Sequence, residues 1–391
     1  MENVKNRTPL IVLGSTGSVG TQALDVAERT GTPVEAICAH RDVAKVEEQA
    51  RRFGVTACAM GDETAAADLR ARLADTSVRV YGGENGIPDM IADSSAPIAL
   101  NAIIGEAGLA STLAVLKAGK QLALANKESL VVAGDIVMKT AHERGIDIRP
   151  VDSEHCAIAQ ALMAGESREV KRLILTASGG PFFGKKRDEL KNVRVKDALA
   201  HPTWSMGAKI TIDSASMMNK GFEIIEAAHL FGVSSDRIGV VVHRESIIHS
   251  MVEYIDNSVI AQMSVPDMRH CIQHALTYPH REAANIAPLD LVSVSKLTFA
   301  EPDEDTFVLL RAAKTALSRG GASCAVLNAA NEVAVDAFLH DCIGFCAMFD
   351  AVLETVERLP DAVSATSLED ILSYDRTARR LAAEYIDAAI H

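Results

Sequence analysis

The chain is poor in several things, and each shortage excludes something. Seven cysteines are scattered over 391 residues with no CxxC pair. An odd, unpaired set argues against a disulfide framework and suggests reduced thiols in a cytoplasmic setting. Cys342 and Cys346 are four apart on a helical pattern without neighbouring histidines, which favours core residues over zinc ligands. Basic residues number 39 against 52 acidic ones, a net charge of −13. That excludes a broad nucleic-acid surface, and an anionic ligand must be held by local positive groups. No apolar run approaches the ~18 residues of a membrane span. The run PLIVLG near the start is too short for a signal-peptide core and passes directly into a glycine turn. Trp204 is the only tryptophan, so indole emission reports on one place.

What remains is ordinary for a globular protein of two or three domains: 48% hydrophobic and 23% charged residues. Residues 1–150 alternate strand and helix. PLIVLG, PVEAICAH, VTACAM, VRVYGG, PIALNAI and QLALAN read as strands with helical stretches between them. This is the pattern of an α/β doubly wound parallel sheet, Rossmann-like. Residues 151–278 read as a mixed α+β catalytic domain. RLILTASGG, IGVVV, SIIHSMVEY and SVIAQMS are its strands, the last two joined at Asp256-Asn257, and SMMNKGFEIIEAAHLFG is an amphipathic helix. Residues 279–304 hold several prolines and weak periodicity and read as a linker. Residues 305–391 are alanine-rich and helical in pattern, a C-terminal helical domain.

GSTGSVG, Gly14 to Gly20, falls between the first strand and the first helix. In that setting Gly14 permits the tight turn, Gly17 lets backbone approach a pyrophosphate, and Gly20 allows close helix–sheet packing. Thr16, Gly17, Ser18 and Val19 lie where helix N-terminal amides face phosphates. Glycines serving packing alone are the competing interpretation. The second strand ends in CAHRD, where an NAD enzyme usually carries an acid for the ribose 2′-hydroxyl. His40 and Arg41 stand there instead, and Arg41 suits a 2′-phosphate. Asp42 either caps the next helix or competes for Arg41. The pattern favours NADP over NAD.

VDSEHC, residues 151–156, places Asp152 and Glu154 two apart. If extended, the segment projects both from one face, and two like charges side by side call for a cation. Further on, Asn219, Lys220 and Glu223 can share one helix face, with Asp213 or Ser214 as the N-cap and hence an anion site at the helix start. A solvated Lys–Glu pair is the bland alternative. Gly221 argues against it, because a glycine inside a helix costs roughly 1 kcal/mol and implies a close approach of backbone or ligand. TASGGPF, with Ser178, ends a strand in a turn and offers half of a phosphate cradle. HPTWSMG, residues 201–207, reads as a loop suited to a mobile cover.

GSTGSVG, ANKESLV, PVDSEH, SGGPF, HPTWSMG and DSASMMNKGFE occur in order along essentially the whole chain, which thereby resembles the 1-deoxy-D-xylulose 5-phosphate reductoisomerases. The resemblance implies that Asp152, Glu154 and Glu223 hold Mg²⁺ or Mn²⁺. It implies that Ser178, Ser214, Asn219 and Lys220 contact substrate phosphate, and that Lys127, Ser153 and His201 touch the substrate elsewhere. NADPH would meet Thr16 to Val19, His40, Arg41, Asp42, Asn126, Glu128 and Gly207. Trp204 and Met206 lie on the segment that closes over the substrate. A homodimer, a sugar phosphate substrate, and neither nucleic acid nor membrane as partner are also implied.

The implied reaction is a skeletal rearrangement by retro-aldol cleavage and realdolisation, followed by hydride reduction to 2-C-methyl-D-erythritol 4-phosphate. Glu154 is a candidate for moving a proton and Lys127 for orienting substrate or polarising an oxygen; the base is not assigned. HRES, residues 243–246, departs from the familiar HPQS, with Arg244 and Glu245 read as a surface pair without a role, and His40, Arg41 and Asp42 stand where glycine, lysine and asparagine are common. Two other classes remain open at this level. A metal-assisted NADP hydroxyacid dehydrogenase would give an unbranched product, and an NADP-sensing module would give none.

Overall fold

The computed structural model describes residues 7–204, 206–284 and 286–390. The chain forms two compact units that do not follow it in simple order. The first takes the chain through Ser129, Val137–Cys156 and Asp267–Ala287. The second takes Leu130–Ile136, Ala157–Pro266 and the chain from Pro288 on.

In the first unit, β1 (Leu10–Leu13), β2 (Val34–Ala39), β3 (Ala57–Met60), β4 (Arg79–Gly82), β5 (Ile98–Asn101), β6 (Gln121–Leu124) and β7 (Arg149–Pro150) form one sheet. Its order is β4-β3-β2-β1-β5-β6-β7. Every pairing is parallel. The central strands LIVL, ACAM and IALN are buried at every position because helices cover both faces. The order reverses at β1, with β2 on one side and β5 on the other, so the crevice beyond their carboxyl ends is the switch point where such sheets take ligands.

The helix Met268–Thr277 belongs to this unit, not to the domain expected over 151–278. Its Ile272 and Ala275 join the core that β1 and the helix Ser18–Thr30 build. The expected linker over 279–304 likewise divides: its first part stays with the first unit, while Leu291–Val294 forms a short helix in the second and Ala300 bridges Val242.

The second unit carries β8 (Val170–Ala177), β9 (Ile238–Val242), β10 (Ile248–Tyr254) and β11 (Val259–Met263) in the order β11-β10-β8-β9. β8 and β9 run parallel; β10 runs antiparallel to both β8 and β11. The β10–β11 turn is at Asp256-Asn257, with Asn257 at φ 66°. One apolar core joins this sheet, the helix Met218–Phe231 and the C-terminal helices, including Phe338, Phe345 and Phe349. A Cβ on Gly221 would come 2.7 Å from Ala313 Cβ, so this glycine serves contact with the helix Val308–Arg319 rather than a ligand. Five cysteines are buried, whereas Cys342, expected in the core, is exposed in a turn. No described helix is long and apolar enough to cross a membrane.

Candidate active site

The glycine loop of the first unit is built from backbone. Gly14 has φ 78°, and a Cβ there would sit 2.7 Å from the Ala102 carbonyl oxygen. A Cβ on Gly20 would collide with the Gly14 carbonyl, so the helix Ser18–Thr30 approaches β1 only because both are glycine. Gly17 occupies the cap position of that helix and supplies no side-chain acceptor. The Gly17 amide donates to the Gly14 carbonyl at 3.1 Å and tightens the turn, so the amides placed to meet an anion are those of the first helical residues, Ser18 and Val19.

Asp42 resolves its ambiguity: it caps the helix Val43–Phe53 by accepting from Lys45 N. Arg41 is 72% exposed and pairs instead with Asp62 at 2.9 Å. His40 is exposed and packs beside Gly61. Lys45 was not singled out in the sequence, yet its Nζ donates to the Thr16 carbonyl at 2.7 Å and brings a cation to the loop. The signal was there, a lysine in the first turn after CAHRD. Asn126 is buried beyond β6, donating to Gly105 O at 2.8 Å and accepting from Ser129 N. Its amide shapes the loop, with Glu128 beside it.

VDSEHC is not extended. The strand ends at Pro150 and the helix Ser153–Leu162 begins at once. The two acids are neighbours for a different reason: Asp152 caps the helix, accepting from Glu154 N at 3.1 Å, and Glu154 lies in its first turn. Lys127 Nζ stands 2.8 Å from Asp152 Oδ2, and His155 Nδ1 is 3.0 Å from Oδ1. Burial alone raises the Asp152 pKa, but Lys127 and His155 outweigh it and hold the carboxyl well below the usual range. Asp152 is thus a carboxylate at any ordinary pH. His155, fully buried, was missed although it lies in the quoted motif. Ser153 Oγ donates to Glu154 Oε2 at 2.6 Å.

In the second unit, Asp213 and Ser214 are not the cap of the helix Met218–Phe231. They belong to the preceding helix, Ala208–Ala215. Met217, at φ 60°, joins the two helices and supplies no side-chain cap. Asn219 Nδ2 donates to Glu223 Oε1 at 2.5 Å, and Lys220 Nζ pairs with Glu223 Oε2. This is no solvated pair, since Lys220 and Glu223 are both buried. Burying two charges costs several kcal/mol per ion before their attraction offsets it, so function explains it better than stability.

Ser178 and His201 come together at 2.9 Å. His201 Nδ1 accepts from Thr203 N at 3.1 Å and Trp204 N at 2.9 Å. The proton of the neutral ring is therefore on Nε2, which donates to Ser178 Oγ. Burial, then the charge of Arg244, lowers the His201 pKa and favours that neutral form. Ser178 Oγ also accepts from Gly180 N at 3.3 Å, leaving its own hydrogen to donate outward. A Cβ on Gly180 (φ 62°) would come 2.9 Å from Ser214 O, so the turn and the Ser214 helix meet only through glycine. Trp204 lies 6.2 Å from the His249 ring in an irregular, half-buried stretch with Met206; Ser205 lies outside the described residues. Gly207 caps the helix Ala208–Ala215 with open space at its Cβ.

Three family profiles match the chain. 1-deoxy-D-xylulose 5-phosphate reductoisomerase matches residues 10–134, and two C-terminal domains of that enzyme match 148–231 and 263–381. The enzyme so named from Acetivibrio thermocellus is 48% identical over 96% of this chain and 98% of its own length. That of Chlorobium chlorochromatii is 47% identical over 96% and 99%. Among solved structures, the Zymomonas mobilis enzyme in complex with NADPH is 40% identical, covers 97% of this chain and 99% of its own, and has a TM-score of 0.90. A reductoisomerase in complex with NADPH, fosmidomycin and magnesium is 39% identical over 97% and 98%, with a TM-score of 0.91.

Proposed function

This chain belongs to the 1-deoxy-D-xylulose 5-phosphate reductoisomerase family, and from that premise we propose which of its groups do the work. The reaction is the NADPH-dependent rearrangement and reduction of 1-deoxy-D-xylulose 5-phosphate to 2-C-methyl-D-erythritol 4-phosphate, with a divalent metal. When bound, NADPH supplies hydride and the cation draws electron density from adjacent substrate oxygens.

NADPH fits the first unit. The loop Thr16–Val19 receives its pyrophosphate, Lys45 adds positive charge, and Arg41, paired with Asp62, stands beyond the end of β2 to read the 2′-phosphate. His40, Asp42, Asn126, Glu128 and Gly207 complete the cofactor site in this proposal. Asp152, Glu154 and Glu223 hold the cation. An all-oxygen donor set suits Mg²⁺ or Mn²⁺. The carrying observation is Asp152, largely shielded from solvent yet held ionised by Lys127 and His155.

Ser178, Ser214, Asn219 and Lys220 take the substrate phosphate, with Ser178 donating its hydroxyl. Binding energy at that remote group orients the reacting carbons. Lys127 and Ser153 align the sugar hydroxyls, and His201 holds Ser178 in its donor orientation. Trp204 and Met206 cover the sugar and exclude water. Homodimerisation and a cytoplasmic setting belong to the same proposal. Val259 and Ile260, exposed on the edge strand β11, suit the first, and the free thiols suit the second.

The test is the carbon skeleton of the product from 1-deoxy-D-xylulose 5-phosphate with NADPH and Mn²⁺, read by NMR. A branched product supports the assignment; an unbranched one selects a simple dehydrogenase.

A further inference from the structure

The segment HRES sends its two charged residues in different directions. Glu245 turns to Thr298, accepting from Oγ1 at 2.6 Å and from N at 3.2 Å, and it also reaches His243 Nδ1 at 3.1 Å. His243 is buried and stacks on Phe299 at 4.9 Å, so this half of the motif is fixed framework. Arg244 is not the partner of Glu245. Its guanidinium lies over the Phe183 ring at 5.1 Å, and Nη1 points to the Gly180 carbonyl at 3.2 Å and the Ser178 carbonyl at 3.5 Å.

Those carbonyls belong to the turn that carries the Ser178 hydroxyl, one arm of the proposed phosphate pocket. Gly179 and Gly180, at φ 75° and 62°, give that turn a left-handed course that packs on Val242 and Ser214. We propose that Arg244 is a positioning residue of the phosphate pocket: its guanidinium clamps the Ser178 and Gly180 carbonyls and brings a positive charge to the phosphate dianion. The inference rests on the assignment of Ser178, Ser214, Asn219 and Lys220 to the phosphate.

Two physical effects follow from the one group. Holding both carbonyls fixes the turn that carries the Ser178 hydroxyl and lowers the ordering entropy that binding must meet. The charge lies on a half-buried side chain whose guanidinium is covered on one face by the Phe183 ring, so water screens it less than an open surface lysine. Because the overall charge is −13, such a local cation matters more to a doubly charged ligand than it would on a basic protein. Arg244 also faces the His201 ring electrostatically and favours the neutral tautomer that donates to Ser178.

The experiment compares the full-length enzyme with R244K and R244M, measuring kcat and KM for 1-deoxy-D-xylulose 5-phosphate and competition by inorganic phosphate. NADPH affinity and melting temperature report on folding. R244M keeps an unbranched side chain but loses the charge, the donors and the guanidinium over Phe183; R244K keeps charge. The expected result for R244M is a KM about 10–100-fold higher, in the range of one charge-assisted hydrogen bond. Its kcat should change less, phosphate competition should weaken in parallel, and NADPH affinity should be unchanged. R244K should recover most of the loss, and the R244M deficit should shrink at high salt. If inorganic phosphate competes equally well with wild type and R244M, the inference is wrong and the phosphate pocket stands. A deficit in R244K as large as in R244M, or one that falls on kcat alone, also overturns it. If phosphate does not compete even with wild type, the pocket assignment itself falls. Should R244M prove unfolded, R244Q, which keeps carbonyl donors without charge, gives the same decision.

Discussion

Two regions of this molecule bind phosphate groups by opposite means in the proposed account. From Gly14 to Gly20 the site is backbone, and its geometry follows from places where a Cβ has no room. Around Ser178, His201, Ser214, Lys220 and Arg244 it is made of side chains from separate segments, each held by a neighbour: His201 by two amides, Ser178 by His201, Lys220 by Glu223. The first kind of site tolerates varied side chains and fails on bulk. The second tolerates little change of charge or donor, because each group leaves a buried partner behind when removed.

That contrast can be broken most strongly at Lys220. Lys220→Ala should cost the phosphorylated substrate roughly 3–5 kcal/mol in kcat/KM, the range for breaking a buried charge pair. The same change should cost the dephosphorylated analogue far less. Equal losses for the two would mean that Lys220 serves only to stabilise Glu223. On the backbone side, Gly20→Val should weaken NADPH binding by about 2–4 kcal/mol through helix displacement, in the range of severe core strain. It should leave phosphate competition intact; calorimetry with NADPH and with phosphate separates the two.

A smaller effect is expected at Arg41, which is exposed and shared with Asp62. Arg41→Ala should raise the KM for NADPH several-fold and leave that for NADH nearly unchanged. Equal changes would remove Arg41 from the 2′-phosphate. The mildest test is pH. Burial and Arg244 depress the His201 pKa below its ordinary 6.5. The bonds of the neutral ring are therefore fully present above pH 6.5 and lost as pH falls through the lowered folded value. Substrate KM should be flat down past pH 6.5 and rise only as pH falls through the lowered folded value, whereas NADPH affinity, measured by fluorescence titration, should show no matching step.

The same contrast explains what could be read from the chain alone. The parallel sheet was legible because LIVL, IALN and their kin are short apolar runs punctuated by glycine, and the loop was legible because a strand–glycine–helix order is local. The helix at Ser153 was missed because Pro150 ends the strand only two residues before Asp152, and the capping role of that acid looks like a strand pair in sequence. The helix Met268–Thr277 was assigned by chain continuity to the wrong core, since only the fold returns Ile272 to the first sheet. Lys45, His155 and Arg244 escaped for one reason: each acts by touching something distant or already counted, and spacing carries no sign of it.

The most direct test of the central claim is a Mn²⁺ titration of Asp152→Asn followed by electron paramagnetic resonance, with NADPH affinity measured on the same sample. Asp152 is held ionised against burial by Lys127 and His155, which the account explains as preparation for a cation. The predicted result is a loss of Mn²⁺ affinity of at least about tenfold, as for removal of a single metal-orienting group, together with near-complete loss of turnover and unchanged NADPH binding. Unchanged Mn²⁺ affinity would contradict the account and make the Lys127–Asp152–His155 cluster a structural one.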